Sequence, residues 1–368
     1  MTGGGGGGDR VSSPTANAFR ASHRDPSFPM NEVCMSVEAA PPPAMDEPQS
    51  GPRAAGTPVR RRRRSGAARS SGPARSPWRS ARREWSAYLF LAPGLIVFSI
   101  FTLFALLFAF YLTFHEWDII NPDKPFVGLQ NYSRMMTDTD FQQSIINTFY
   151  FTGASVPLSM IIGLLIALLL NQGIRLRGLF RTMFFLPQVT PFIVIAIVWK
   201  WLYNGDYGLF NFYLLKAHLI TQPLHWLSDQ NLAMPAVVLM TVWAGIGFSM
   251  VVYLAALQAV PEELYEAAKM DGAGGIARFR NITVPQLRPT TLFLLVIGII
   301  GSLQVFTQIY VMTNGGPVDR TTTMVFFIYQ AAFKFYQMGY ASTLSFVLFA
   351  MTLVFTAIQL WLYKKADQ

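Results

Sequence analysis

The groups that ordinarily perform bond-making chemistry are scarce in this chain of 368 residues. Its four histidines, His23, His115, His218 and His225, form no HExxH or similar ligand pair, so no metal site is expected. A single cysteine, Cys34, closes no intrachain disulfide and supplies none of the metal or redox spacings. The phosphate-cradling pattern GxxxxGK[ST] is absent, so ATP is not expected to bind this chain in the P-loop manner. The densest set of interacting residue types is the stretch 261–289, PEELYEAAKMDGAGGIARFRNITVPQLRP, with eight charged side chains. Its chemistry is recognition: ion pairing and apolar docking.

Within that stretch the residue order specifies a helix start. Pro261 suits a first helical position because its missing N–H would be unsatisfied there anyway, and Glu262, Glu263 and Glu266 put negative charge near the positive end of the helix dipole. Val260, Leu264, Ala267 and Ala268 recur at spacings of three and four and form one apolar stripe, beside which Glu263 and Glu266 are free to meet a cation. Asp271 to Gly275 then breaks the helix, Gly272 being suited to a sharp reversal. A second short helix from Ile276 to about Thr283 groups Ile276, Phe279 and Ile282 and leaves Arg278 and Arg280 facing solvent. Pro285 should stop it, and Pro289 should start the next element. The expected product is a charged, apolar-ridged helical knob, the kind of shape that seats in a groove on a partner. A plain helical connection is the alternative, although connections of this length are usually functional.

The elements that carry the knob follow from composition. With 52% hydrophobic and 13% charged residues, the chain is too apolar for an ordinary soluble domain, so an all-α membrane protein is expected. Residues 86–114 run 29 positions without a charge, ample for a hydrocarbon core about 30 Å thick. Further spans are expected near 145–170, 183–203, 236–258, 290–312 and 341–363, six in all, with the knob in the loop 259–289. Pro93, Pro157, Pro187 and Pro191 fall within or near these spans, where neighbouring helices can satisfy the freed carbonyls.

Residues 1–85 differ in texture. They hold a glycine run, a triple proline, the arginine run 60–64 and a net charge of +7 out of the chain's +9. A disordered cytoplasmic tail is expected, without a cleavable signal peptide. Its arginines would either attract anionic membrane lipids or stay solvated and fix orientation. Basic residues in the short loops favour the same side for both ends. Nine fall in the loops on the tail's side and five on the other, which places both termini in the cytoplasm of a multi-pass protein in the cell membrane.

Lys200 is the one ionisable residue expected within a span, near its outer end, which argues against an ion-coupled carrier or an intramembrane enzyme. The polar residues that remain at membrane depth suit a neutral, hydroxyl-rich solute. Gln304 and Gln308 are four apart and share a face with Gly301, with Ser302 and Thr307 beside them. Gly245, Gly247 and Phe248 form a small-residue break in the fourth span. Helix-to-helix hydrogen bonding and close packing explain the same residues equally well.

The knob resembles the EAA loop of the membrane subunits of binding-protein-dependent ABC importers. Glu266-Ala267-Ala268, Gly272, then nine residues and Ile282-Thr283-Val284-Pro285 follow its pattern, with Val284 where leucine is usual. The Asp271-Gly272-Ala273 form, with Phe279 and Pro289 following, is similar to the sugar-importing branch. From about Leu89 to Tyr363 further landmarks resemble the maltose, glycerol-3-phosphate and multiple-sugar permeases: FVGLQNY (126–132), FFLP (184–187), YGLFN (207–211) and TNGGP (313–317). TNGGP is similar to the first of their two non-identical permeases; the arginine-rich tail departs from the family.

The resemblance implies a type I ABC importer permease architecture and a complex with a second permease, two ATP-binding subunits and an external solute-binding protein. This chain would hold no cofactor, with ATP and Mg on the partner ATPase. In that reading Glu266 pairs with a basic ATPase residue, Gly272 makes the turn, and Ile276 and Phe279 are the ridge, flanked by Ala267, Ala268, Asp271, Ile282 and Pro285. The cargo would be a sugar or oligosaccharide. Another solute, such as glycerol phosphate or a polyamine, and a membrane-anchored scaffold with a lipid- or nucleic-acid-binding tail are the alternatives.

Overall fold

The computed structural model describes residues 85–172 and 175–366. The expected tail, apart from Trp85, lies outside the described residues. Among the described residues the structure is built from helices, with two isolated β-bridges, His115 to Phe126 and Asp118 to Gln337.

The first span is α1 (Trp85–Phe98) and α2 (Phe104–Leu112), joined through a π-helical turn at Ser99–Leu103. Its apolar side chains stay largely exposed, which is stable only against lipid or another subunit. Asn131 in α3 (Gln130–Thr137) closes the far end by donating from Nδ2 to the carbonyls of Thr113 at 2.9 Å and His115 at 3.1 Å. Those carbonyls would otherwise end a helix unsatisfied.

The centre of the fold is α4 (Thr139–Leu170), 32 residues or about 48 Å long. The Asp138 carboxylate caps it, accepting from the N–H of Asp140 at 2.9 Å. Against it packs α8 (Ala233–Ala259). Contact is close because Gly163 has no side chain; a Cβ there would sit 2.6 Å from that of Ser249. Gly298 of α11 (Val284–Leu303) approaches Val156 of α4 in the same way. Three apolar clusters fill the joints, centred on Phe151, Trp199, Tyr203 and Met240, on Met160, Tyr253, Leu254 and Leu287, and on Met135, Leu303, Met324 and Leu344.

The expected span 183–203 is not one straight helix. It is a pair, α5 (Arg177–Val189) and α6 (Phe192–Leu202), bent by 98° at residues 190–191. Pro191 has no N–H to continue the ladder and holds Thr190 extended, at φ −82° and ψ 134°. Beyond α6, α7 (Leu209–Lys216) is fastened by Asn211. Its amide donates to Gly205 and Leu224 carbonyls at 2.9 and 2.8 Å and accepts from the Trp226 indole at 3.0 Å.

The expected span 290–312 also moves. The helix that crosses there begins far earlier, in the loop: α10 (Gly275–Arg278), a π-helical turn (Phe279–Thr283) and α11 form one continuous rod, Gly275–Leu303. Pro285 does not stop it. The π turn at Phe279–Thr283 accommodates the proline: Val284 bonds back five residues to Phe279, and the widened turn relieves the clash of the Pro285 ring with the preceding carbonyls. The rod ends at Gln304, and α12 (Thr307–Met312) follows at a new angle after the irregular Phe306, at φ −138° and ψ −58°.

The stretch 313–323, assigned by sequence to a loop, is a tied structure. Asn147 of α4 donates to the carbonyls of Asp319 and Thr322 at 2.8 and 2.9 Å, and Thr148 accepts from the N–H of Met324 at 2.9 Å. It leads into α13 (Met324–Tyr329), an apolar helix prolonged by a π turn through Lys334. Last comes α14 (Met338–Ala366). Among the described residues five helices are long and apolar enough to cross a membrane, six if the bent pair counts as one.

Candidate functional site

Two places deserve the name of site: the loop between α8 and α11, and a cavity between the helices above it. The loop opens at Pro261, whose ψ of 130° ends α8 and starts α9 (Glu262–Met270) with Glu262 and Glu263 in the first turn. Val260 precedes this helix in an extended conformation, so it does not extend the apolar stripe as expected. At the other end the N–H of Ala273 bonds the Ala268 carbonyl at 2.8 Å and that of Gly272 bonds the Lys269 carbonyl at 3.0 Å. This pair is a Schellman cap, and it requires the left-handed φ of +75° that Gly272 adopts.

The chain then reverses into α10. Tyr265 and Thr283 tie the two arms, their hydroxyl oxygens 2.9 Å apart. Glu266, Ala267, Asp271 and Gly272 are exposed, and Ala268 is half-buried beneath the cap. Of the ridge expected from the sequence, Ile276 is 85% exposed and Phe279 37%. Ile282 leaves it: the wider π turn shifts the helical phase and turns this side chain inward, half-buried like Pro285. Arg278 does not face solvent as expected. It is half-buried, with its Nε lacking a hydrogen-bond partner, whereas Arg280 is exposed. Sequence reasoning missed Met270, which at 89% exposure stands on the same knob. Its signal was a large apolar residue in the last turn of a helix, next to Lys269 and Asp271.

The cavity, about 290 Å³, is walled by six helices. From α4 come Phe151, Ser155 and Ser159; from the α5–α6 break, Gln188 and Phe192; from α8, Thr241, Gly245, Phe248 and Ser249; from α11 and α12, Gly298, Gly301, Ser302 and Gln308. Its lining contains hydroxyls, amides and aromatic faces and no ionisable side chain. Of the expected path residues, Gly245, Phe248, Ser302 and Gln308 are here. Gln304 and Thr307 are not: the rod ends between Leu303 and Gln304, so Gln304 and Gln308 do not share a helical face, and Gln304 is exposed. The α8 helix runs unbroken through its glycines. Gly247 admits the backbone of Phe184 from α5, while Gly245 opens onto the cavity beside Ser159. Ser155, Ser159 and Gln188 escaped the sequence reading because each lies on a span whose neighbours only the fold identifies.

Comparison with known proteins identifies the family and the likeness of fold. Residues 159–368 match the family described as binding-protein-dependent transport system inner membrane component. The trehalose/maltose transport system permease protein MalF of Thermococcus litoralis is 38% identical over 276 residues, which cover 74% of this chain and 92% of that protein. The lactose transport system permease protein LacF of Rhizobium radiobacter is 35% identical over 280 residues, 75% of this chain and 93% of that one. A chain from the crystal structure of a bacterial ABC transporter that imports the acidic polysaccharide alginate superposes with a TM-score of 0.70 at 23% identity. That match covers 79% of this chain and 99% of that one, and establishes the likeness of fold.

Proposed function

The chain belongs to the family of binding-protein-dependent transport system inner membrane components, and on that footing we propose that it forms the path for a sugar or oligosaccharide in an ATP-driven importer. It is a multi-pass permease subunit and not itself an enzyme. The proposed partners are a second permease, two ATP-binding subunits that carry ATP and Mg, and an external solute-binding protein. The α9–α10 knob is proposed to sit on an ATP-binding subunit in the cytoplasm, with both chain termini on that side.

One observation carries the reading. The rod from Gly275 to Leu303 is continuous, so Ile276 on the knob and Ser302 in the cavity wall belong to a single helical run about 39 Å long. Movement of the knob by a closing nucleotide-driven dimer therefore tilts or shifts the cavity wall as a rigid body. A loop that ended at Pro285 would transmit much less. The uncharged lining, largely apolar with a few hydroxyls and amides, supports a neutral sugar over glycerol phosphate or a polyamine, either of which would call for an ionised side chain in the wall. A membrane-anchored scaffold has no use for such a cavity.

The test is reconstitution of the complete complex with its binding protein in liposomes. ATP inside should drive sugar uptake. In a Cys34→Ser permease embedded without its ATP-binding subunits, a Met270→Cys probe should react with a membrane-impermeant thiol reagent from the cytoplasmic face alone. Uptake without the ATP-binding subunits, or labelling from the external face, overturns the reading.

A further inference from the structure

A second cavity lies where the start of α11 meets the end of α14. It measures about 320 Å³ and is lined by Arg288, Leu292, Leu295, Gln359, Leu362 and Tyr363 among others. The two helices run antiparallel here, so the cavity sits on the membrane side that carries the α9–α10 loop. It is distinct from the proposed sugar path, with which it shares no lining residue.

Gln359 makes this groove unusual. It is 8% exposed, and both Oε1 and Nε2 are buried without a hydrogen-bond partner. A buried amide left unpaired costs about 1–3 kcal/mol, and in hydrocarbon there is no water to relieve it. A molecule that offers both an acceptor to Nε2 and a donor to Oε1 would satisfy this amide. Arg288, exposed in the first turns of α11, adds a cation at the rim, and Lys364 and Lys365 lie in the last turn of α14. Leu292, Leu295 and Leu362 continue the walls as hydrocarbon.

We propose that this groove binds an anionic glycerophospholipid of the adjacent leaflet. Its phosphate would meet Arg288, an ester carbonyl would accept from Gln359 Nε2, a headgroup hydroxyl would donate to Gln359 Oε1, and one acyl chain would lie along the leucines. The depths agree. Gln359 stands six residues, about 9 Å, inside Lys365, which is the depth of glycerol esters when basic side chains occupy the headgroup layer. An anionic head is favoured because each basic residue near the surface attracts it by about 1 kcal/mol.

The full chain in detergent micelles, titrated with phosphatidylglycerol or phosphatidylcholine, tests the proposal without any reading of transport. Bound lipid is counted by native mass spectrometry, and stabilisation is followed by thermal unfolding. Phosphatidylglycerol should bind saturably and raise Tm, with phosphatidylcholine much weaker. Gln359→Leu should raise Tm without lipid, since an apolar side chain replaces an unpaired amide, and should abolish the rise on adding phosphatidylglycerol. Arg288→Gln, an exposed change, should leave lipid-free Tm unaltered and weaken phosphatidylglycerol binding about tenfold, as loss of one charged contact implies. Equal binding of the two lipids, or an undiminished phosphatidylglycerol response in both variants, overturns the proposal. So does a photoreactive group at Leu362 that, in the assembled complex, crosslinks to the second permease and not to lipid.

Discussion

Tyr265 and Thr283 meet hydroxyl to hydroxyl at 2.9 Å across the reversal at Gly272, and Thr283 is almost wholly buried. This contact ties α9 to the long rod, so under the proposed coupling it would set how a push on the knob reaches the membrane. Tyr265→Phe strands the Thr283 hydroxyl and should destabilise the chain by about 1–3 kcal/mol. Thr283→Val should cost a similar amount. The double variant should cost less than the sum of the two, the signature of a direct pair. Thermal unfolding of the purified chain checks this, and additive losses would mean that the hydroxyls do not interact. In the assembled transporter, Tyr265→Phe should lower the sugar carried per ATP hydrolysed.

Gly272 presents a case where space and conformation separate. A Cβ there would touch nothing within 4 Å, yet the backbone stands at φ +75°. Gly272→Ala should therefore cost about 1 kcal/mol through strain alone. Gly272→Asn should cost less, because asparagine enters the left-handed region more easily. Coupled uptake should fall in the order Gly, Asn, Ala, Val with expression unchanged. Equal losses for Asn and Val would point to a contact with a partner surface and away from the turn.

The outward apolar residues should matter to assembly and not to folding. Ile276 and Met270 are 85% and 89% exposed, so Ile276→Asp should leave Tm where it is while reducing co-purification with the ATP-binding subunit. Leu287, at 2% exposure and eleven residues beyond Ile276 in the same rod, supplies the contrast. Leu287→Ala should cost about 2–5 kcal/mol in the isolated chain. A drop in Tm for Ile276→Asp alone would show that the ridge is folded against this chain's own body.

The sequence showed the spans that depend on bulk hydrophobicity and hid those that depend on a proline's context. The fourth, expected at 236–258, is the α8 helix at Ala233–Ala259, because a long uncharged run has few other solutions in lipid. Pro191 and Pro285 look alike in sequence and act oppositely. One breaks a helix by 98°; the other is absorbed by a π turn that no propensity scale registers. The knob was legible because capping and charge are local. The cavity was half legible: glycines and glutamines marked it, but their faces depended on where the rod ended. Asn131, Asn147 and Asn211, which hold the loops to the bundle, gave no signal beyond lying in or near recognisable motifs, since each bonds backbone carbonyls that are distant or irregular.

The end of the rod at Gln304 yields the sharpest functional contrast, because two glutamines four residues apart face different surroundings. Gln308 lines the cavity and Gln304 is exposed outside it. Gln308→Ala should remove an amide contact to the sugar and raise the half-saturating concentration of a transporter assayed with saturating binding protein by about tenfold, the worth of one such bond when the partner hydroxyl is left unpaired. Gln304→Ala should change neither half-saturation nor maximal rate. Gly245→Val places bulk against Ser159 and fills the same cavity, so it should lower maximal uptake while Tm and assembly hold. Were Gln304→Ala to cripple uptake while Gln308→Ala did not, the solute would have to pass on another face of the bundle, and the rigid link from knob to cavity wall would lose its purpose.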